Sequence, residues 1–475
     1  MKRKVSVCAG VVAAVVAFSA GAEEAKAAEQ APVTPPSSDA GAEVAVEGPG
    51  LERAMAPPPL IEATAAGAVA ADAPKVGAQV REEAAEVHVP FSLTVLPGLS
   101  TSGFATGNVV NDVSLGLLAT HAKRVNALGI ALGGNWVRAE ASGALLAVGL
   151  NVVGGPSTGT HLAVGANVAR ADFGGLQGSV GANIVRGKVD GAQLSVGGNV
   201  ATGAVDGAQL GVGANIAGGD MVGAQLAVGV NVASGTMNGL QMAAGLNVAP
   251  RMTGVQMSSG VSYAGALSGG QISIINVGGA VKGAQVGLVN VAGSVEGAQV
   301  GLVNVSGRTD GEAVGLLSLI GNGQANLQLW SSDVALTNVG VKLGGEHLYT
   351  MFTLGFMPPV DGERRHYTVG AGLGGHIPAG RFFFDIDVMG SSLSSRRLFD
   401  YEDEDSKHIL GQLRVMAGWQ LARRLAVFGG VSANTLVTWD GSDPWKELGI
   451  GPEWKETSGR TIIRTWPGVL AGIQI

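Results

Sequence analysis

The chain has 475 residues, of which 77 are Gly and only 14% are charged, and its formal net charge is −7. This balance excludes the basic surface that nucleic-acid binding requires, and no apolar run after the N-terminus is long enough for a membrane-spanning helix. The only cysteine is Cys8, inside a predicted leader. The mature chain is therefore predicted to contain no disulfide, thiol nucleophile or Cys-based zinc site.

The N-terminus has the pattern of a secretory signal peptide. Residues 2–4 are Lys-Arg-Lys, residues 5–18 are apolar, and Ala-Gly-Ala at 20–22 fits a cleavage site. We therefore predict a signal peptide at 1–22, with a retained N-terminal anchor as the alternative. Residues 23–87 are rich in Ala, Pro and Glu and lack hydrophobic periodicity, which predicts a disordered linker.

A strand and turn are predicted at 88–110, and tandem β repeats at 111–325. The units read GAQLSVGGNVATGAVD and later GAQVGLVNVAGSVE, with Asn and Gln recurring every sixteen and then every fourteen residues. Apolar and polar residues alternate within each unit, which is typical of β-strands. The side chains predicted to form structural ladders are Asn183, Asn199, Asn215, Asn231, Asn247, Asn276, Asn290 and Asn304, with Gln177, Gln193, Gln209, Gln225, Gln241, Gln285 and Gln299.

Two architectures fit this alternation: a β-solenoid with one coil per repeat, or a large membrane barrel with one strand per repeat. Solenoid coils all occupy the same environment, which explains near-identical units. Membrane strands need aromatic girdles, whereas Tyr263 is the only aromatic residue between 174 and 325. The shorter units lose one residue from each arc, which a two-sided coil tolerates but a single strand does not. The pattern favours the solenoid.

The C-terminal region, 326–475, is predicted to be an antiparallel eight-stranded β-barrel of the outer-membrane type. It holds 16 of the 22 aromatic residues, and short connections alternate with long polar ones, as in outer-membrane barrels. Asp385 and Asp387 share one strand face, where a pair with Arg414 filling the narrow lumen is favoured over an ion pathway. A soluble barrel or sandwich that closes the solenoid is the alternative, supported by Ile475 at the position of the usual terminal aromatic residue.

The units GAQVGLVNVAGSVEGAQVGLVNVSG and the following segment GEAVGLLSLIGNGQANLQLW resemble the leptospiral-type bacterial surface-repeat proteins. The resemblance covers about 110–360. It implies an envelope location and repeat architecture with a β-rich C-terminal region, and it carries over no catalytic residue. The sixteen-residue units depart from the spacing typical of that family.

Other candidate sites favour structural interpretations. The glycines of 370–375 lie in an alternating strand instead of the strand–turn–helix context of a nucleotide loop. The acidic run 402–405 is predicted to be a solvated loop, with a calcium site as the alternative. His161 occupies the ladder position of Gln. We predict no catalytic, cofactor-binding or metal-binding residues.

The sequence thus predicts an all-β, exported, non-enzymatic envelope protein with a structural or adhesive role. Two alternatives stay open: an outer-membrane pore or transport protein whose wall is formed by the repeats, and a solenoid that binds glycan along its ladder face. The expected partners are the outer membrane and an envelope glycan or protein. Eight strands would place the barrel entrance and the repeats in the periplasm, whereas an odd number of strands would place them outside, so the side of the membrane is left open.

Overall fold

The computed structural model describes residues 85–475 except 105, 360–364, 396–397, 399–406, 446–447 and 450. The predicted signal peptide, nearly all of the predicted linker and the acidic run 402–405 lie outside the described residues. Within the described part the chain forms a 21-stranded sheet system followed by a 9-stranded one. No helix in that part is long and apolar enough to cross a membrane.

The first region contains a 3₁₀ turn, Thr106–Asn108, and 21 strands. The strands are β1 (Val87–Leu96), β2 (Leu99–Ser100), β3 (Val109–Gly116), β4 (Ala119–Ala131), β5 (Gly134–Ala147), β6 (Leu150–Val153), β7 (Ser157–Ala163), β8 (Ala166–Ala169), β9 (Phe173–Ser179), β10 (Ala182–Val185), β11 (Val189–Ser195), β12 (Gly198–Ala201), β13 (Val205–Gly211), β14 (Ala214–Ala217), β15 (Met221–Ala227), β16 (Val230–Ala233), β17 (Thr236–Ala243), β18 (Leu246–Val286), β19 (Val289–Val300), β20 (Val303–Val314) and β21 (Leu317–Ile320).

These strands form a parallel β-solenoid, which confirms the favoured architecture. A long arc pairs in parallel with the long arc of the next coil, as β11 does with β13, and a short arc pairs with the next short arc, as β10 does with β12. Equivalent repeat residues lie side by side, for example Gln193 beside Gln209. Neighbouring strands in a membrane barrel wall run antiparallel, so the repeats do not form such a wall. Coil stacking begins before the predicted start of the repeats, because β1 already pairs in parallel with β3.

The interior of most coils combines two amides with two apolar rows. Val189, Val205 and Met221 form one row and Ala201 and Ala217 the other, all within one buried cluster. The outward positions of the alternation carry Leu and Val instead. The coil therefore buries its Asn and Gln and exposes many of its larger apolar side chains.

The first Gly of each GAQ unit is required by the backbone. Gly191 and Gly207 have φ of 134° and 133°, in the region that L-residues with a side chain rarely adopt. A Cβ atom at Gly207 would also overlap the backbone oxygen of Gly191 in the preceding coil. Glycine at this position lets successive coils approach to normal sheet spacing.

The second region is a closed eight-stranded antiparallel barrel, which confirms the predicted fold class. Its first strand pairs with both its second and its last strand, which closes the sheet. A short additional strand, β29, pairs only with β30, and the sequence did not indicate it. The strands are β22 (Gln324–Ser332), β23 (Thr337–Gly344), β24 (Leu348–Met357), β25 (His366–Ala379), β26 (Phe382–Ser394), β27 (His408–Ala422), β28 (Leu425–Thr438), β29 (Trp454–Ser458) and β30 (Thr461–Gln474).

The solenoid joins the barrel at the end that carries the short turns. Gln324 lies beside Gly344 at the turn between β23 and β24, and Gln474 at the end of β30 pairs with Gln328. The last coil also contacts the barrel directly. The Thr350 hydroxyl donates to the Gly315 carbonyl oxygen at 2.5 Å, and the Leu348 N–H donates to a Glu312 carboxylate oxygen at 3.2 Å.

Candidate functional site: amide ladders and the barrel interior

Asparagine side chains form a ladder along the short arcs of the solenoid. Each Asn Nδ2 donates to the Oδ1 of the Asn one coil later, from Asn135 to Asn151 at 2.7 Å and onward to Asn247. The second proton goes to a backbone oxygen, as from Asn199 to Leu210 at 2.8 Å. Both donor protons of an amide in the run are thereby satisfied, which burial requires.

The glutamine ladder runs along the long arcs with the opposite polarity. Each Gln Nε2 donates to the Oε1 of the Gln one coil earlier, from Gln193 to Gln177 at 2.9 Å and without interruption up to Gln299. The Asn amides donate toward the C-terminal coils and the Gln amides toward the N-terminal coils. The amide dipoles of the two ladders therefore oppose each other along the solenoid axis.

A second Asn run continues from Asn276 to Asn304, so all fifteen residues singled out from the sequence lie in the Asn and Gln ladders, and every one is 0% exposed. Gln256 and Gln271 complete the Gln series, and Ser262 and Ser318 take the Asn position in two coils. The serine positions carried no signal, because a hydroxyl there breaks the letter pattern while still accepting the hydrogen bond of the preceding Asn. The ladder amides are buried in the coil interior, so they face neighbouring coils and not solvent.

His161 ends the Gln ladder on its N-terminal side. It pairs in register with Gln177, yet neither ring nitrogen has a hydrogen-bond partner, and Gln177 Nε2 is also unpaired. The ring packs against Phe173 with the centroids 5.0 Å apart. Burial lowers the pKa of His161 to about 4, because the protonated ring would lie unsolvated in the coil interior.

The lower half of the barrel, nearest the short turns, is filled by two buried ion pairs. Lys342 Nζ lies 2.7 Å from Asp385 Oδ2, and Arg414 contacts Asp387 with both Nε and Nη2, at 2.6 and 2.8 Å. His376 Nδ1 lies 2.6 Å from the other Asp385 oxygen. The pairing of Asp387 with Arg414 was predicted. The roles of Lys342 and His376 were missed, because only strand register brings them to Asp385.

Aromatic and amide groups fill the rest of the lumen. The Tyr349 hydroxyl donates to Asp387 at 2.9 Å, and Gly374 leaves room for its ring. Nearer the long loops, the Trp466 indole and the Asn434 amide donate to Asp333 at 2.8 and 3.1 Å. One cavity inside the barrel, between Trp330 and Arg414, measures about 10 Å³, which is the space of roughly one water molecule, and a wider one of about 660 Å³ opens at the short-turn end beside His376 and Phe383. The glycines of 370–375 thus serve strand packing.

The outer wall of the barrel is apolar. The outward positions of its strands are exposed aliphatic and aromatic side chains, whereas the inward positions hold the charges. Stacked Phe382 and Trp419 lie at the short-turn end, with ring centroids 6.1 Å apart, and Phe356 and Tyr367 lie at the other end. Exposed apolar wall residues include Leu327, Leu329, Val339, Val341, Leu354, Leu373, Phe384, Ile386, Val388, Leu413, Val415, Val427, Val431 and Val469.

No group of three or more His, Cys, Asp or Glu side chains arranged to hold a metal ion occurs among the described residues. Comparison of the chain with protein-family models, with curated proteins and with solved structures found no match. The likeness to surface-repeat proteins accordingly stays a prediction from the sequence.

Proposed function

We propose that this chain is a non-enzymatic outer-membrane protein in which the barrel is an anchor and the solenoid is a rigid structural element of the envelope. One observation carries the proposal: the barrel has an apolar outer wall around a charged interior. Such a wall is costly in water, whereas in a bilayer it matches the acyl chains, and closure leaves no edge unpaired among the eight wall strands.

The filled lumen supports anchoring over transport. The ion pairs of Lys342 and Arg414 cross the interior, and their charges satisfy each other. An eight-stranded barrel is only wide enough for side chains. Aromatic residues at both rims of the wall match the interfacial girdles of membrane barrels.

The solenoid supports a structural role. Its ladder amides form hydrogen bonds from coil to coil, so each coil binds the next through both backbone and side chains. Because the solenoid meets the barrel at the short-turn end, and short turns are typical of the periplasmic side, it lies in the periplasm under this proposal. A structural role inside the envelope is therefore favoured over adhesion to external surfaces.

Fractionation of a Gram-negative host that expresses the full chain tests the anchor. We expect the protein in the urea-washed outer-membrane fraction, with a mobility in SDS gels that changes on boiling. Val431→Arg places a charge on the middle of the outer wall and is expected to cost about 2–4 kcal/mol of insertion free energy. Thr457→Arg, on exposed β29, is the matched control and is expected to insert normally. Recovery of the unmodified chain in the soluble fraction would contradict the anchor.

Orientation is tested separately with a thiol-reactive, membrane-impermeant reagent. In a Cys8→Ser background, Asp206→Cys on the exposed side of the solenoid is expected to react only after the outer membrane is permeabilised. Reaction on intact cells would place the solenoid outside.

A further inference from the structure

The solenoid carries a continuous apolar edge. Two outward positions follow each ladder Gln, as Leu194 and Val196 follow Gln193, and both are exposed in most coils. The side chain at the second outward position is about half-exposed, between 47% and 59%, in eleven coils. These residues are Leu132, Val148, Val164, Val180, Val196, Val212, Val228, Ile274, Leu288, Leu302 and Leu316. Between the two rows lies a shallow groove of about 620 Å³, lined by Leu194, Val196, Leu210 and Val212 among others.

Charge is segregated from this edge. None of the four residues after each ladder Gln is charged, from GSVG after Gln177 to VGLV after Gln299. All charged residues between Gln177 and Asn304 lie instead between an Asn and the next Gln, on the opposite edge of the coil. They are Arg186, Lys188, Asp190, Asp206, Asp220, Arg251, Lys282 and Glu296.

Monomeric soluble proteins rarely expose a contiguous apolar patch larger than a few hundred Å². Coils spaced about 4.8 Å apart extend this edge over the length of the solenoid. Between Leu132 and Leu316 only two successive coils lack a large apolar residue at the second outward position, where they carry Ala244 and Ser259. Something apolar must therefore cover the edge, and the chain itself indicates what it is.

The edge is continuous with the outer wall of the barrel. In the last coil, Gly315 lies between the exposed edge residues Val314 and Leu316. Its carbonyl oxygen accepts the hydrogen bond from Thr350, which lies on the outward row of β24 between Leu348 and the exposed Leu354. The contact is on the outside of the barrel, two residues after the start of β24, so the last coil of the edge lies against the outward row of that strand.

We propose that the apolar edge of the solenoid docks onto the lipid leaflet into which the barrel inserts, with its Leu and Val side chains among the outer parts of the acyl chains. This inference rests on the proposed function, because it needs the barrel in a bilayer. The lipid surface fits because the edge is apolar, long and free of charge, while the charged edge faces the aqueous side. Because one chain carries both regions, insertion of the barrel brings the solenoid to the same leaflet.

Depth-dependent quenching of a fluorescent label tests the docking in the full chain, refolded into phosphatidylcholine vesicles. Single cysteines in a Cys8→Ser background are labelled with an environment-sensitive fluorophore. Val196→Cys reports on the edge, Asp206→Cys on the charged side, and Val431→Cys on the barrel wall. All three side chains are exposed, so the label enters no core. Brominated lipid is the quencher, and Val212→Cys repeats the measurement one coil later in case Val196→Cys impairs folding.

We expect brominated lipid to quench the labels at Val196 and Val431 to within twofold of each other, and at least fivefold more than the label at Asp206. Quenching at Val431 without quenching at Val196 or Val212 overturns the docking and leaves the anchor intact. Absence of quenching at Val431 overturns the anchor itself. A label at Val196 that is shielded from water, unquenched by lipid and exposed on dilution of the protein shows a second copy on the edge, which also overturns the docking.

Discussion

The solenoid and the barrel both bury polar side chains behind an exterior rich in exposed apolar residues, but they satisfy those polar groups with different chemistry. The solenoid stacks the same residue on itself, coil after coil. An amide can do this because it both donates and accepts, whereas identical charges at sheet spacing would repel each other in the interior. The barrel has no repeats, so an acidic residue can lie beside a basic one, as Asp387 does beside Arg414. A repeated fold therefore selects neutral ladders, and a closed fold permits ion pairs.

The comparison is tested most strongly in the barrel. Arg414→Met leaves Asp387 as an unpaired buried charge, which is expected to cost about 3–5 kcal/mol of unfolding free energy. Addition of Asp387→Asn removes that charge and should recover most of the loss. Denaturant unfolding of the chain in detergent micelles, followed by tryptophan fluorescence, measures both. A single variant as stable as the parent would show that the pair is not coupled.

Acid should destabilise the solenoid through His161. Its folded pKa lies at about 4, below the usual value near 6.5. Between these two pH values the unfolded chain binds one proton more than the folded chain, so stability falls as the pH falls, by up to about 3 kcal/mol. The difference between parent and His161→Gln in unfolding midpoint, measured from pH 8 to pH 4, isolates this proton. Parallel curves would contradict the buried neutral ring.

Interruption of the Asn ladder should cost somewhat less. Asn215→Leu removes a donor and an acceptor, leaving the Asn199 amide and the Asn231 oxygen without their partners. Unsatisfied buried groups of this kind cost about 1–3 kcal/mol each, and because the neighbouring coils can relax we expect a total near the lower end, about 2 kcal/mol. Asn238→Leu, at an exposed position of the same region, is the matched control. Equal thermal midpoints for the two variants would show that the ladder contributes nothing to stability.

Extension of the Gln ladder should have the smallest effect. At pH 8, His161→Gln offers an acceptor to the unpaired Gln177 Nε2, a gain of about 1 kcal/mol for one hydrogen bond. The thermal midpoint should rise slightly above that of the parent. A fall at pH 8 would indicate that packing of His161 on Phe173 outweighs the missing hydrogen bond.

Periodicity made the architecture predictable, because a fixed repeat with one residue lost per arc fits a coil. Alternation separated Gln193 from Leu194 but did not say which faces inward, since an amide ladder and an aliphatic row are both possible cores. The partners of Asp385 depend on register: Lys342 is 43 residues away and is brought close only by barrel closure. Strand β29 escaped notice because all five of its residues are exposed and show no alternation.

The central claim is that the barrel has an apolar outer wall and a charged interior. A nitroxide scan of residues 411–420 in β27 tests it most directly, with the full chain reconstituted in a bilayer. Collision rates with oxygen, which concentrates in lipid, should peak at Leu413, Val415, Ala417 and Trp419 and fall at Arg414 and Met416, with a period of two. A water-soluble nickel reagent should show no maximum at the four outward positions. Maximal collision with the nickel reagent at Leu413 and Val415 would place the apolar wall in water and contradict the account.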